Sequence, residues 1–157
     1  MFEPMAAAVR AIQLARTGES LQFEDGPVGD LERDALVEGL PLWLEAKAGY
    51  LYLAVNASWP GLFKIGCTRR SVEARMRQLS GAGMATPWVA VRSWAVHDAH
   101  GLEAQIHRTC EPWRFKGELF KASLDELIGA IEHVGAADRA KLTDTLRFYL
   151  PTETFPL

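Results

Sequence analysis

The spacing of apolar and polar positions changes several times along this chain, and each change marks an element. Residues 4–17 are alanine-rich, with Val9, Ile12 and Leu14 at helical intervals and Gly18 following, which predicts a helix that stops there. The stretch SLQFEDGPVGD (20–30) holds Asp-Gly-Pro and a second Gly-Asp, the chemistry of a loop. A second helix is expected from about Asp30 to Ala46, interrupted or kinked at Pro41. The pattern then tightens to that of strands: Tyr50–Val55 and Leu62–Cys67 flank NASWPG and read as a hairpin. Ser71 opens S-V-E-A, and Val72, Met76 and Leu79 form the apolar stripe of a helix over 71–80. GAGMATP closes that helix, and WVAVRSWAV (88–96) reads as a buried strand. Asp98 caps a helix to about Cys110, with Leu102, Ile106 and Cys110 on one side. GELFKAS contains a short strand, and Ser123 starts the helix SLDELIGAIEHV with Asp125 and Glu126 in its first turn. A last helix is predicted over 136–149, before a tail containing proline.

The middle of the chain is therefore expected to run β-β-α-β-α-β-α. That order predicts an α+β fold, a small central antiparallel or mixed β-sheet with flanking helices, together with helical N- and C-terminal extensions. The corresponding boundaries are 1–47 for an acidic helical extension, 48–134 for the α+β domain, and 135–157 for a C-terminal helix and tail.

Composition narrows the class of protein. With 157 residues, 48% hydrophobic and 24% charged, the chain can bury a real core and has the balance of a globular protein in water. No apolar run approaches the roughly 20 residues that cross a bilayer. MFEPMAAAVRAIQLAR lacks the basic start and long apolar stretch of a signal peptide. A cytoplasmic protein without a membrane role is the expectation. Cys67 and Cys110 are the only cysteines and stand in no CxxC pattern or His cluster, which points away from a disulfide framework or a zinc knuckle. Charge is segregated within the overall −3: residues 62–121 hold ten Lys/Arg against five Asp/Glu, whereas residues 1–48 hold four against nine. The middle suits a polyanion and the N-terminal flank does not.

Several residues in the middle carry more chemistry than packing needs. Tyr52 and Lys64 occupy hairpin positions where valine would serve, and Arg75 lies at the edge of the 72/76/79 stripe. Glu103 borders the 102/106/110 stripe, with His107 one turn further on. Phosphodiester hydrolysis calls for such a set: a base to help deprotonate water, a cation for the phosphate charge, and a carboxylate to hold a divalent metal. Bland readings stand beside this one. Lys64 could snorkel at a strand edge, Arg75 could pair with Glu103 as a structural bridge, and Glu118 reads as structural. Trp59, Trp88, Trp94 and Trp113 offer rings on which bases stack, with Trp88 and Trp94 expected in the core.

YLYL…FKIG, followed by CTRRSVEAR and LEAQIH, resembles the GIY-YIG endonuclease superfamily. The likeness is to the branch named after a phage T5 reading frame, which carries a lysine in the second motif, and it runs from about Gly49 to Ile131. By this resemblance Tyr52 is the tyrosine of the first motif and Lys64-Ile65-Gly66 is the second motif. Arg75 is the arginine of the following helix, and Glu103 is the metal ligand. The resemblance implies a nuclease that cleaves DNA rather than RNA with Mg²⁺ or Mn²⁺ on Glu103. Tyr52, Lys64, Arg75, Glu103 and His107 would be its catalytic set, and Arg69, Arg70, Arg77, Arg108 and Lys116 would contact nucleic acid. Leu79 departs from the pattern, because many relatives place histidine or tyrosine four residues after the arginine; His107 or Tyr50 would have to substitute. No separate DNA-reading domain is visible, so a protein partner could supply specificity. Two alternatives remain: a GIY-YIG fold that grips nucleic acid without cutting it, and a protein-interaction domain that works through its acidic ends.

Overall fold

The computed structural model describes residues 2–149. In chain order it contains helices α1 (Pro4–Arg16) and α2 (Pro27–Lys47), strands β1 (Gly49–Asn56) and β2 (Phe63–Thr68), helix α3 (Val72–Leu79), strand β3 (Trp88–Val96) and helix α4 (Ala99–Thr109). A single 3-10 turn (Glu111–Trp113), strands β4 (Arg114–Lys116) and β5 (Leu119–Phe120), and helix α5 (Leu124–Leu146) complete it. Contacts divide the described residues into two units, one of residues 2–46 with 136–149 and one of residues 47–135. The fold class is α+β, with a five-stranded sheet in the order β3-β1-β2-β5-β4 and every pairing antiparallel.

Local chemistry explains the element boundaries. Glu3 caps α1 by accepting from the Met5 and Ala6 amides. The Ser71 hydroxyl accepts from the Ala74 amide to start α3, and Asp98 accepts from the Gly101 amide to start α4. Ser123 and Glu126 form a reciprocal capping box at α5, which satisfies two amides that the helix itself leaves without partners.

The structure corrects three expectations and narrows a fourth, the one at Pro41, where the helix is not interrupted. Helix α2 begins at Pro27, not Asp30, because a proline in the first turn gives up an amide that has no helical partner anyway. Pro41 lies within the helix without ending it. The predicted pair of C-terminal helices is one helix, Leu124–Leu146; Gly135 costs about 1 kcal/mol inside a helix but does not force a break. Finally, β3 is an edge strand rather than a buried one. Trp94 and Val96 are buried while Val89 and Val91 are exposed, because only one flank of β3 pairs within the sheet.

Within the unit of residues 2–46 and 136–149, Ala8, Ala11, Ile12 and Ala15 of α1 meet Leu36, Leu40 and Trp43 of α2 and Leu142 and Leu146 of α5. Alanines on α1 let these helices approach closely. The buried Asp138 carboxylate takes two hydrogen bonds from Arg16, Nε to Oδ1 at 2.9 Å and Nη2 to Oδ2 at 2.8 Å, a paired geometry that offsets burial of the charge.

Within the unit of residues 47–135, alternation along β1 and β2 sorts their side chains, and the register of β1 against β3 shifts between Leu53 and Ala54. Leu51, Leu53, Ile65, Cys67, Trp94, Val96 and Phe120 join Leu102, Ile106 and Cys110 of α4 and Leu127, Ile131 and Val134 of α5 in one core. The other sheet face carries Tyr50, Tyr52 and Ala54 of β1 opposite Thr68, Gly66 and Lys64 of β2. Because side chains alternate every residue along a strand, this register places Tyr52, Gly66 and Lys64 side by side away from the core.

Candidate active site

Tyr52 and Gly66 are direct partners across the β1–β2 ladder, and the phenol ring of Tyr52 lies over the glycine. A methyl group at Gly66 would sit 2.6 Å from Tyr52 Cζ, 3.1 Å from Cε1, and closer still to Oη. Tyr52 is only 1% exposed, so the ring has nowhere simple to go. Gly66 is therefore the seat of Tyr52. Gly66→Ala is expected to cost about 1–3 kcal/mol, the usual range for overpacking, measured as a shift in the denaturation midpoint. Tyr52→Ala in the same chain should remove most of that penalty, a coupling that a double-mutant cycle reads directly.

Three charged side chains from three further elements act on Tyr52: Arg75 from α3, Glu103 from α4, and Glu118 from the turn between β4 and β5; the Cys67 thiol, next after Gly66 on β2, belongs to the core face of the sheet. Burial pushes the Tyr52 phenol above its ordinary value; a polar contact and the charge of Arg75 pull it down, and the charges of Glu118 and Glu103 push it up again. The net direction is up, so Tyr52 is a neutral phenol at neutral pH. Burial also raises the Cys67 thiol well above its usual range. Glu103 adds to the rise by hydrogen bonding and charge, Glu118 adds by charge, and Arg75 opposes it. Cys67 is thus a thiol and not a thiolate. The imidazole Nδ1 of His100 lies 3.4 Å from its sulfur.

Arg75 meets Tyr52 and Gln78. Its Nη1 donates to Gln78 Oε1 at 2.7 Å, while its Nε is buried with no partner at hydrogen-bonding distance and angle. Among the described residues no ion pair joins Arg75 to Glu103. A buried guanidinium donor without an acceptor costs free energy, and such a group is suited to an oxyanion brought by a ligand.

The remaining sequence candidates divide plainly. Lys64 points from β2 to Glu118 and forms an ion pair with it, the lysine side chain 12% exposed and the glutamate 42%. Lys64 is therefore committed to a neighbour. His107 donates from Nε2 to the Ile65 carbonyl at 2.9 Å, and its ring packs 5.2 Å from that of Phe120; these contacts tie α4 to β2 and β5. Arg69 and Arg70 lie exposed just after β2, Arg77 is exposed on α3, Arg108 on α4 and Lys116 on β4. Leu79 is half-buried near the end of α3. Among the described residues no group of three or more His, Cys, Asp or Glu side chains is placed to hold a metal ion. Sequence reasoning missed the part played by Gly66 and the contact of Cys67 with Glu103. The hairpin register that pairs residues 52 and 66 is the signal that carries the first.

The antiparallel sheet with helices packed on it defines an α+β domain whose polar centre lies around Gly66. The T5orf172 domain family matches residues 49–135, more than half of the chain, and the chain belongs to that family. No curated protein and no solved structure gives a match. No helix among the described residues is long and apolar enough to cross a membrane.

Proposed function

We propose that residues 49–135 form a metal-dependent endonuclease of the GIY-YIG type that hydrolyses phosphodiester bonds of DNA. The observation that carries this reading is the buried, unpartnered Nε of Arg75 beside Tyr52, with Glu103 close enough to act on both Tyr52 and Cys67. An incoming phosphate would give Arg75 the acceptor it lacks, and its guanidinium would stabilise the charge that builds on the phosphate oxygens. Tyr52, neutral and fixed over Gly66, would accept a hydrogen bond from the attacking water at Oη and orient it. Lys64 would act indirectly, by holding Glu118 in place.

The donor chemistry around Glu103 fits Mg²⁺ or Mn²⁺. It offers one carboxylate oxygen ligand with no committed ion pair, and the neighbouring sulfur is kept protonated, so a hard cation is favoured over a soft one. One carboxylate and several waters is an ordinary arrangement for magnesium. Such a cation, when bound, neutralises phosphate charge and acidifies water.

A second reading is nucleic-acid binding without cleavage, favoured by the 1% exposure of Tyr52 and the commitment of Lys64 to Glu118. Incubation of the chain with single- and double-stranded DNA and RNA in Mg²⁺, Mn²⁺ or EDTA separates the two. DNA products in either metal and none in EDTA are the expected result. Retention of DNA with no product in any metal would replace the nuclease reading with the second.

A further inference from the structure

At the far end of β1 from Gly49 the loops carry a construction that the catalytic reading does not use. Trp59, in the β1–β2 loop, is 41% exposed and lies 5.6 Å from the Trp88 ring at an interplanar angle of 38°. Single exposed aromatic residues need no explanation, but this one is held from several directions. Its amide donates to the Asn56 carbonyl at 2.9 Å. Asn56 is 2% exposed; its Nδ2 donates to the Thr86 carbonyl at 3.1 Å, and its Oδ1 accepts from the Ser58 amide at 2.9 Å and from the Thr86 hydroxyl. Ser58 Oγ and Thr86 Oγ1 are 2.6 Å apart. The Trp88 amide is fixed in turn by Ser80 Oγ at 2.8 Å. A polar network centred on the buried Asn56 thus ties the β1–β2 loop to the segment before β3, and an exposed indole rests on a half-buried one.

A recess of about 340 Å³ opens beside this pair, between α3 and β3, with Trp88, Met76 and Val72 among its walls and Arg77 and Glu73 on its rim. Val72, Met76, Trp88, Val89 and Ala90 make its lining largely apolar. Arg77 supplies a cation, and Glu73 an acceptor that suits an exocyclic amine better than a phosphate. Asn56 stands in register with Trp88 and on the same strand face as Tyr52, four residues along β1, about 13 Å away at the rise of a β-strand. The surrounding segment is the basic part of the chain, ten Lys/Arg against five Asp/Glu over residues 62–121.

We infer that the Trp59–Trp88 pair and its adjoining recess form a stacking platform for an unpaired base, so that the domain takes nucleic acid with a single-stranded or unstacked nucleotide in preference to intact duplex. Every base has a π-face, and stacking on a fixed indole needs no sequence; inside a duplex that face is already covered. Rigid placement of Trp59 removes the ordering cost that a mobile side chain would pay on binding. The inference rests on the nucleic-acid reading above and adds the form of the substrate.

Binding in EDTA, where cleavage does not intervene, provides the test. The full chain is titrated at one fixed low salt concentration with a single-stranded oligodeoxynucleotide, with the blunt duplex of the same sequence, and with that duplex bearing one unpaired base. Wild type should prefer the first and third over the blunt duplex and should show quenching of tryptophan fluorescence. Trp59→Ala should weaken binding to the single strand by about tenfold or more while changing blunt-duplex binding little, and Trp59→Phe should retain most of the affinity. An unchanged melting temperature in Trp59→Ala would separate lost stacking from lost folding. Equal affinity for all three DNAs, or loss in Trp59→Ala that is the same for single strand and duplex, would overturn the platform and leave the nucleic-acid reading standing. Absence of binding to every DNA would overturn both.

Discussion

Replacing Glu103 by glutamine is expected to abolish metal-dependent cleavage and to leave the fold intact. The substitution keeps the shape and hydrogen-bonding reach of the side chain and removes only the charge. Structurally that charge is uncommitted: Glu103 is half-buried on α4 and makes no ion pair among the described residues. Its hydrogen-bonding neighbour is the Cys67 thiol, a donor that an amide oxygen can accept from equally well. Stability should therefore change by no more than the roughly 0.5 kcal/mol typical of substitutions outside a packed core or a network. A hard divalent cation held as proposed would, by contrast, lose its one anionic oxygen ligand at this place. Glu118 is a poor replacement, because Lys64 already occupies it. The measurements are turnover of DNA in Mg²⁺ and Mn²⁺ and a thermal melt of the same preparation. Wild-type-like turnover by Glu103→Gln in Mg²⁺ would remove the metal from Glu103.

Much of this arrangement is legible in the sequence because it is local. Ser71, Asp98 and Ser123 announce their helices by chemistry that acts within three residues, and the period-two runs around NASWPG announce the hairpin. What is not legible is long-range. Strand β4 has three residues, Arg114–Lys116, too few for any period to show, so the single strand expected in this region is half of a short hairpin. The edge position of β3 depends on which strands pair with which, and an apolar run such as WVAVRSWAV reads the same at an edge or in a centre. The candidate site divides in the same way. The order Tyr52, Lys64, Arg75, Glu103 can be read along the chain, and so can the hairpin that sets residues of β1 against residues of β2. The commitment of Lys64 to Glu118, 54 positions away, and of His107 to the Ile65 carbonyl, 42 positions away, cannot. Both were natural catalytic candidates by residue type, and both are engaged by neighbours that only tertiary contact reveals.

Arg75→Ala is expected to lower the cleavage rate at least about a hundredfold, the scale of removing one preorganised donor from a transition state, with little change in melting temperature. Two roles for this arginine make opposite forecasts. An arginine that holds the fold through a buried ion pair costs about 3–5 kcal/mol when one partner is removed, and turnover by the molecules that remain folded would be nearly normal. An arginine reserved for a ligand costs the free protein little, since its absence strands no other group. The structure favours the second role on two counts. Its Nη1 donates to Gln78, three residues along the same helix and 2.7 Å away, and its other polar contact is with the neutral Tyr52 phenol; the Nε donor is buried and unsatisfied, so deleting Nε removes a cost. Helix α3 itself has no fully buried residue, which limits how much packing the arginine stem can contribute. Lysine at the same position should recover only part of the rate, because an ammonium lacks the planar pair of donors that a phosphate accepts side by side. The decisive comparison is rate and melting temperature measured together for Arg75→Ala and Arg75→Lys. A drop in melting temperature of many degrees with turnover per folded molecule unchanged would assign Arg75 to the scaffold and take the phosphate clamp out of the proposed mechanism.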